Sequence, residues 1–291
     1  MSQEKHVRLI YEKPGIRVSL IDGDTVYTEC SVVEELYDHD YYQNGYLRFR
    51  DQREALFSEI IDKASLCGAT PEKSWLDCGS GCGIFLNVLE KRGYNRLWGV
   101  EPSRDACNIA SSITHAVIIN RDPLEMSAEE IPPVDVVSLL DVIAHVPDPE
   151  KTLRRCFELL NENGLCILKT PHRDPEYVEF CLRHFKNSPE FVASLLHAGY
   201  QKYSWSFGGI TKLLRQVGFT EVECIPFHEF EEPDYRFELS ELWHPRRFLY
   251  RAALRKSIKI QTCSSILIFA RKTNSAQRCF NGETDNERKA D

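Results

Sequence analysis

No stretch of the sequence approaches the roughly 18 consecutive apolar residues that a membrane-crossing helix needs, so no transmembrane helix and no membrane partner are expected. The opening Met1-Ser2-Gln3-Glu4-Lys5 has no apolar core of the kind that a secretory signal carries. No basic run stands out, and the formal net charge is −8. A broad nucleic-acid footprint is therefore not expected, because phosphate binding needs a concentrated positive field. Cysteine is abundant, with 11 in 291 residues, but the count is odd and no Cys-x-x-Cys pair occurs. Cys78, Cys82, Cys107, Cys156, Cys166, Cys181, Cys224 and Cys263 fall mostly within apolar segments. They read as reduced, buried thiols of a cytoplasmic protein, and neither zinc nor any other metal is expected. The length suffices for one large core, or one core plus a cap.

What is present is concentrated in residues 74–104. Ser74-Trp75-Leu76-Asp77-Cys78 is a short apolar run that opens into Gly79-Ser80-Gly81-Cys82-Gly83. A segment with Phe85, Leu86, Val88 and Leu89 follows, Gly93 breaks it, and Leu97-Trp98-Gly99-Val100 ends on Glu101. This order predicts strand, turn, helix and strand, the start of a parallel sheet that binds a nucleotide-like cofactor. The glycines run G-x-G-x-G, and Ile84 fills the last position of the dinucleotide fingerprint G-x-G-x-x-G. Asp77, two residues before the first glycine, would repel a pyrophosphate and attract an ammonium group. Glu101, 24 residues after Asp77, ends its strand where a ribose diol is read. Adenine, ribose and a cationic amino-acid tail together describe S-adenosylmethionine. The competing reading is another Rossmann-like domain, an oxidoreductase or a structural module.

On these residues the stretch resembles the first two motifs of class I S-adenosylmethionine-dependent methyltransferases, of the small-molecule, ubiquinone-biosynthesis-like type. The resemblance covers about residues 40–271 and implies an α/β, Rossmann-like, seven-stranded and mostly parallel sheet. Helices would cover both faces, the last strand would be reversed, and helical cap insertions would be added. By this similarity Asp77, Gly79, Ser80, Gly81 and Gly83 hold the methionine end of the cofactor, and Glu101 with Pro102 the ribose. The tyrosine-rich approach over residues 32–50 supplies Tyr41, Tyr46 and Arg48 as candidates for the cofactor carboxylate. Asp122 is matched to the adenine amino group, although an aspartate before Pro123 is equally a plain turn signal.

The run Val136-Val137-Ser138-Leu139-Leu140 continues into Asp141-Val142-Ile143-Ala144-His145-Val146-Pro147-Asp148-Pro149. This too resembles small-molecule methyltransferases, and it adds Leu140 to the cofactor residues. Ala144 stands where the family often has glutamate, which argues against a recruited metal. His145 and His172, each just past the C-terminal end of a predicted strand, are the candidate general bases. His145 could instead stack on the cofactor or cap the next helix.

Residues 1–39 are expected to form a β-hairpin and lead-in, with Asp22-Gly23-Asp24 as its turn. Residues 40–271 form the methyltransferase domain, with cap insertions at about 173–204 and 229–257, and residues 272–291 a polar disordered tail. Tyr203, Trp205 and Phe207 either wall an apolar substrate or belong to the core of the cap. The hairpin and the second insertion offer contact surfaces for a homodimer. The expected function is methyl transfer to a small-molecule substrate, with O-methylation favoured. A peptide or protein acceptor, or a non-catalytic cofactor-binding subunit, is the alternative.

Overall fold

A computed structural model describes residues 5–31, 47–127, 129–184, 188–198, 201–227 and 265–273. Tyr41, Tyr46, the 229–257 insertion and nearly all of the 272–291 tail lie outside them.

The chain opens with β1 (Val7–Lys13), β2 (Ile16–Ile21) and β3 (Thr25–Cys30). Asp22 and Gly23 both take positive φ, 52° and 77°, in the three-residue connection between the paired Ile21 and Thr25. The expected hairpin is thus the second half of a three-stranded meander. Sequence alternation misses β1 because the β1–β2 register slips between Leu9 and Tyr11.

α1 (Arg50–Leu66) buries Leu56, Phe57, Ile60, Ile61 and Ala64 along one face. β4 (Trp75–Cys78), α2 (Ile84–Lys91), β5 (Leu97–Glu101), α3 (Arg104–Ile113) and β6 (Val117–Asn120) follow. Ser103 Oγ caps α3 by accepting from the Ala106 N–H. Then come β7 (Val134–Leu140), α4 (Pro149–Leu159) and β8 (Leu160–Pro171). β8 starts five residues earlier than its apolar run, because Leu160 already pairs with Val134 ahead of the Asn161–Gly164 corner. The insertion at 173–204 contains α5 (Pro175–His184) and α6 (Pro189–Leu196), and ends in β9 (Tyr203–Trp205). α7 (Phe207–Val217), β10 (Glu221–Phe227) and β11 (Ser265–Arg271) complete the described elements.

The large sheet has seven strands in the order β10-β11-β8-β7-β4-β5-β6. β8, β7, β4, β5 and β6 are mutually parallel, while β11 runs antiparallel between β8 and β10. From β4 the chain steps outward to β5 and β6, then returns to place β7 on the other side of β4. The order reverses between β4 and β7, and in open α/β sheets ligands bind at the strand C-termini beside such a reversal.

Period-2 alternation divides the core. Leu76, Cys78, Val100, Val137, Leu139 and Leu168 face one side, packed with Leu153, Leu214 and Phe219. Trp75, Val136 and Ile167 face the other, against Ile60, Phe85 and Leu86 of α1 and α2. Asp77, Glu101, Ser138 and Lys169 share this second parity, so four polar side chains stand on the α1–α2 face toward the strand C-termini.

The second sheet is small, ordered β1-β2-β3-β9. Val178, Leu182, Val192 and Leu196 of α5 and α6 pack onto its Tyr11, Ile16, Val18, Leu20 and Val26. The helices of the insertion therefore turn their apolar faces to the N-terminal strands. Trp205 is 1% exposed and lies in the main core.

Candidate active site

The glycine turn between β4 and α2 is the centre of the site. Gly79, Gly81 and Gly83 all take positive φ, at 72°, 51° and 76°. A Cβ on Gly79 would lie 2.4 Å from Val142 Cγ2, and one on Gly83 would lie 2.9 Å from Ala110 Cβ. The backbone here is turned and closely approached from both sides, which explains two of the glycines without appeal to a ligand. The same contact shows that the turn after β7 lies directly against the glycine turn.

Two carboxylates serve this turn. Glu101, at the end of β5, accepts from the Gly81 N–H through Oε2 and from the Ser103 N–H through Oε1, both at 2.9 Å. Burial pushes its carboxyl above the ordinary range, and these two donors oppose that. Asp77 lies deeper, only 3% exposed, and accepts from Ser138 Oγ at 2.6 Å. Ser138 Oγ in turn accepts from Trp75 Nε1 at 2.9 Å. Burial drives the Asp77 carboxyl up to about 7; the Ser138 hydroxyl pulls it back, and the Glu101 charge adds to the rise. Ser80 Oγ, within the turn, is buried with no hydrogen-bond partner among the described residues.

The other predicted residues are placed as follows. Pro102 is exposed beside Glu101, and its carbonyl accepts from Asn120 Nδ2. Asp122 Oδ1 accepts from the Leu124 N–H at 2.8 Å and caps a short 3-10 turn, the local role that its place before proline suggested. Leu140 is half-buried at the end of β7. Arg48 is exposed, its guanidinium 5.8 Å from the ring centre of Phe49. His145 is half-buried in the turn after β7, where its backbone N–H donates to the Val142 carbonyl. His172 is buried at the end of β8; its ring lies 5.0 Å from that of Phe207, and its backbone bridges to Trp205.

One pair was not singled out from the sequence. Lys169 on β8 has a side chain 1% exposed, and its Nζ donates to both oxygens of Asp141, at 2.8 and 2.6 Å. Asp141 holds the residue after β7 in a left-handed conformation, φ 60°, and its side chain is 41% exposed. The available signal was an ionisable residue inside the apolar run Leu165-Cys166-Ile167-Leu168-Lys169. Ser138, which holds Asp77, gave no signal beyond being the polar member of its strand. Among the described residues no group of three metal-ligating side chains occurs, and no helix is long and apolar enough to cross a membrane.

Comparison with known proteins matches residues 48–223 to the methyltransferase domain family, 60% of the chain. The chain belongs to this family. Its fold and motifs are those of the class I S-adenosylmethionine-dependent methyltransferases, and its cofactor is S-adenosylmethionine. The methyltransferase is 29% identical over 167 residues to a ubiquinone biosynthesis O-methyltransferase of Psychrobacter arcticus, covering 54% of this chain and 62% of that protein. It is 30% identical over 145 residues to one of Pseudomonas aeruginosa, covering 48% and 59%. The chain thus spans less than two thirds of the length of these curated relatives. Solved methyltransferases of Thermotoga maritima (20% identity, TM-score 0.52, covering 81% of this chain and 99% of that one) and Archaeoglobus fulgidus (17%, 0.52, 78% and 99%) share the fold.

Proposed function

We propose that this methyltransferase transfers the methyl group of S-adenosylmethionine to an oxygen of a small-molecule acceptor. The observation that carries the oxygen and the small molecule is the likeness to proteins named ubiquinone biosynthesis O-methyltransferase, at 29% and 30% identity. The residues present fit the cofactor. Gly79 and Gly83 leave no room for a Cβ, Ser80 offers a buried hydroxyl with no partner among the described residues, and Glu101 is fixed by two backbone donors.

In this reading Glu101 receives the ribose hydroxyls and Asp77 balances the positive amino-acid tail. Gly79, Ser80, Gly81 and Gly83 shape the approach, Pro102, Asp122 and Leu140 border the adenosine, and Arg48 is the described candidate for the carboxylate. The cofactor, when bound, supplies an electrophilic methyl group on a sulfonium. The chain supplies alignment of the acceptor with that methyl group and a place for the acceptor's proton. His145 is the proposed proton acceptor, since it stands half-exposed on the turn that touches Gly79 through Val142. His172, buried against Phe207, is a wall of the acceptor side.

Calorimetric titration of S-adenosylmethionine and of its demethylated product tests the cofactor half. Micromolar binding to the wild type and its loss in Asp77→Ala are expected. Labelled methyl transfer to hydroxylated small molecules tests the rest. Binding without transfer to any oxygen acceptor would move the non-catalytic reading to the front.

A further inference from the structure

A lysine that is 1% exposed is unusual, because ammonium groups are almost never removed from water without a partner. Lys169 lies on the face that carries Asp77, Glu101 and Ser138, in register with Leu140 and so at the C-terminal end of β8. Its Nζ is bound to both oxygens of Asp141. The backbone completes the arrangement: the Asp141 N–H donates to the Lys169 carbonyl at 2.9 Å, and Asp141 adopts φ 60° to do so. An aspartate in the left-handed region is uncommon and is held there by its surroundings. The next residue, Val142, is the one that touches the glycine turn.

The pair is asymmetric. The cation is sealed inside, whereas the carboxylate side chain is 41% exposed at the strand end, where an open parallel sheet receives its ligands. A carboxylate has about four lone-pair positions, and a cation on the inner side leaves others directed outward.

We infer that Asp141 is a specificity-determining residue for the methyl acceptor, and that buried Lys169 is the positioning residue that holds it. The inference rests on the proposed methyl transfer and adds the acceptor's chemistry. The acceptor carries a hydrogen-bond donor, a hydroxyl or an amine, in addition to the oxygen that is methylated, and this donor binds the outward oxygens of Asp141. The Lys169 ammonium already offsets the Asp141 charge from within, so a neutral donor, with no divalent ion, is assigned to the outward oxygens.

The test uses the full chain with S-adenosylmethionine and three probes: resorcinol and 3-aminophenol, which carry a second donor, and phenol, which does not. Cofactor affinity is measured separately by calorimetry. The wild type is expected to favour the two donor-bearing probes over phenol by about 100-fold in kcat/KM, since a site built around a polar group rejects analogues that lack its partner. Asp141→Asn should reduce that preference to about threefold or less, with cofactor affinity unchanged within about twofold. Lys169→Met should raise KM for resorcinol about tenfold and lower kcat less, because the carboxylate is still present but no longer fixed. Excess magnesium or a chelator should leave the preference unaltered. Resorcinol distinguishes a hydroxyl donor from the amine of 3-aminophenol.

Equal use of phenol by the wild type would overturn the inference, as would cofactor binding with no transfer to any of the three probes. So would a preference that survives Asp141→Asn, which would leave the pair a structural ion pair. If Lys169→Met fails to fold, the exposed Asp141→Asn still decides. Absence of cofactor binding by the wild type would instead sink the methyltransferase reading itself, and that outcome is read in the calorimetry alone.

Discussion

The two sides of the strand reversal solve the same problem differently. On the β4–β5 side, Glu101 is buried and its charge is met by two backbone N–H groups, that of Gly81 in the glycine turn and that of Ser103 at the start of α3. On the β7–β8 side, Asp141 is half-exposed and its charge is met by a lysine side chain sealed within the sheet. Backbone donors belong to the fold and persist whatever the local side chains are. A lysine is a choice of this sequence. The first side is therefore suited to a ligand common to the family, and the second to one that differs between its members.

The sharpest way to test this contrast is to remove Glu101. Glu101→Ala deprives two backbone donors of their acceptor and removes the proposed ribose partner. Cofactor affinity should fall about 100-fold in calorimetry, roughly 2.7 kcal/mol, and Glu101→Gln should recover part of it. An equal loss in Asp141→Asn would erase the distinction between the sides.

A smaller effect should come from pH. Burial raises the Asp77 carboxyl from its ordinary value of 3.8 to about 7, so near neutral pH the free protein holds both the neutral acid and the carboxylate. Its contribution to folding stability is full below about 4 and is lost as pH rises through about 7. A positively charged ligand prefers the ionised form, so binding should release a proton. Affinity for S-adenosylmethionine should rise about tenfold between roughly pH 6 and 8, and this rise should flatten in Asp77→Asn. An unchanged slope in the variant would assign the titration to another group.

The smallest effect on the cofactor should come from the opposite end of the sheet. Asp135 Oδ2 accepts from the backbone N–H and the hydroxyl of Ser74, both at 2.9 Å, where β4 and β7 begin. Asp135→Ala should cost about 1–3 kcal/mol in denaturant unfolding and leave cofactor affinity within about twofold. A larger change would mean that the two ends of the sheet are coupled.

Much of the cofactor side was legible in the sequence, because short runs, glycines and terminal carboxylates are local signals. Asp77, the glycine turn and Glu101 could be placed from residues 74–104 alone. Ser138 and Lys169 could not, because their importance comes from register between strands far apart in the chain: Asp77 pairs with Ser138, and Leu140 with Lys169. The fourth strand of the small sheet escaped for the same reason. Three residues, Tyr203–Trp205, have no period to read, and only their pairing with β3 makes them a strand. Asp122 shows the converse limit, since one aspartate satisfied both a turn rule and a family position, and the turn role is the one its hydrogen bond displays.

That late strand has a consequence for how the chain is made. Thr25 pairs with Trp205, and Tyr27 with Tyr203, about 180 residues later. On a ribosome adding about 5–20 residues per second, the free edge of β3 waits roughly 10–35 seconds for its neighbour. During that interval the N-terminal meander has open edges on both sides and the exposed Val7 and Leu9 on β1, a surface that invites pairing with other strands.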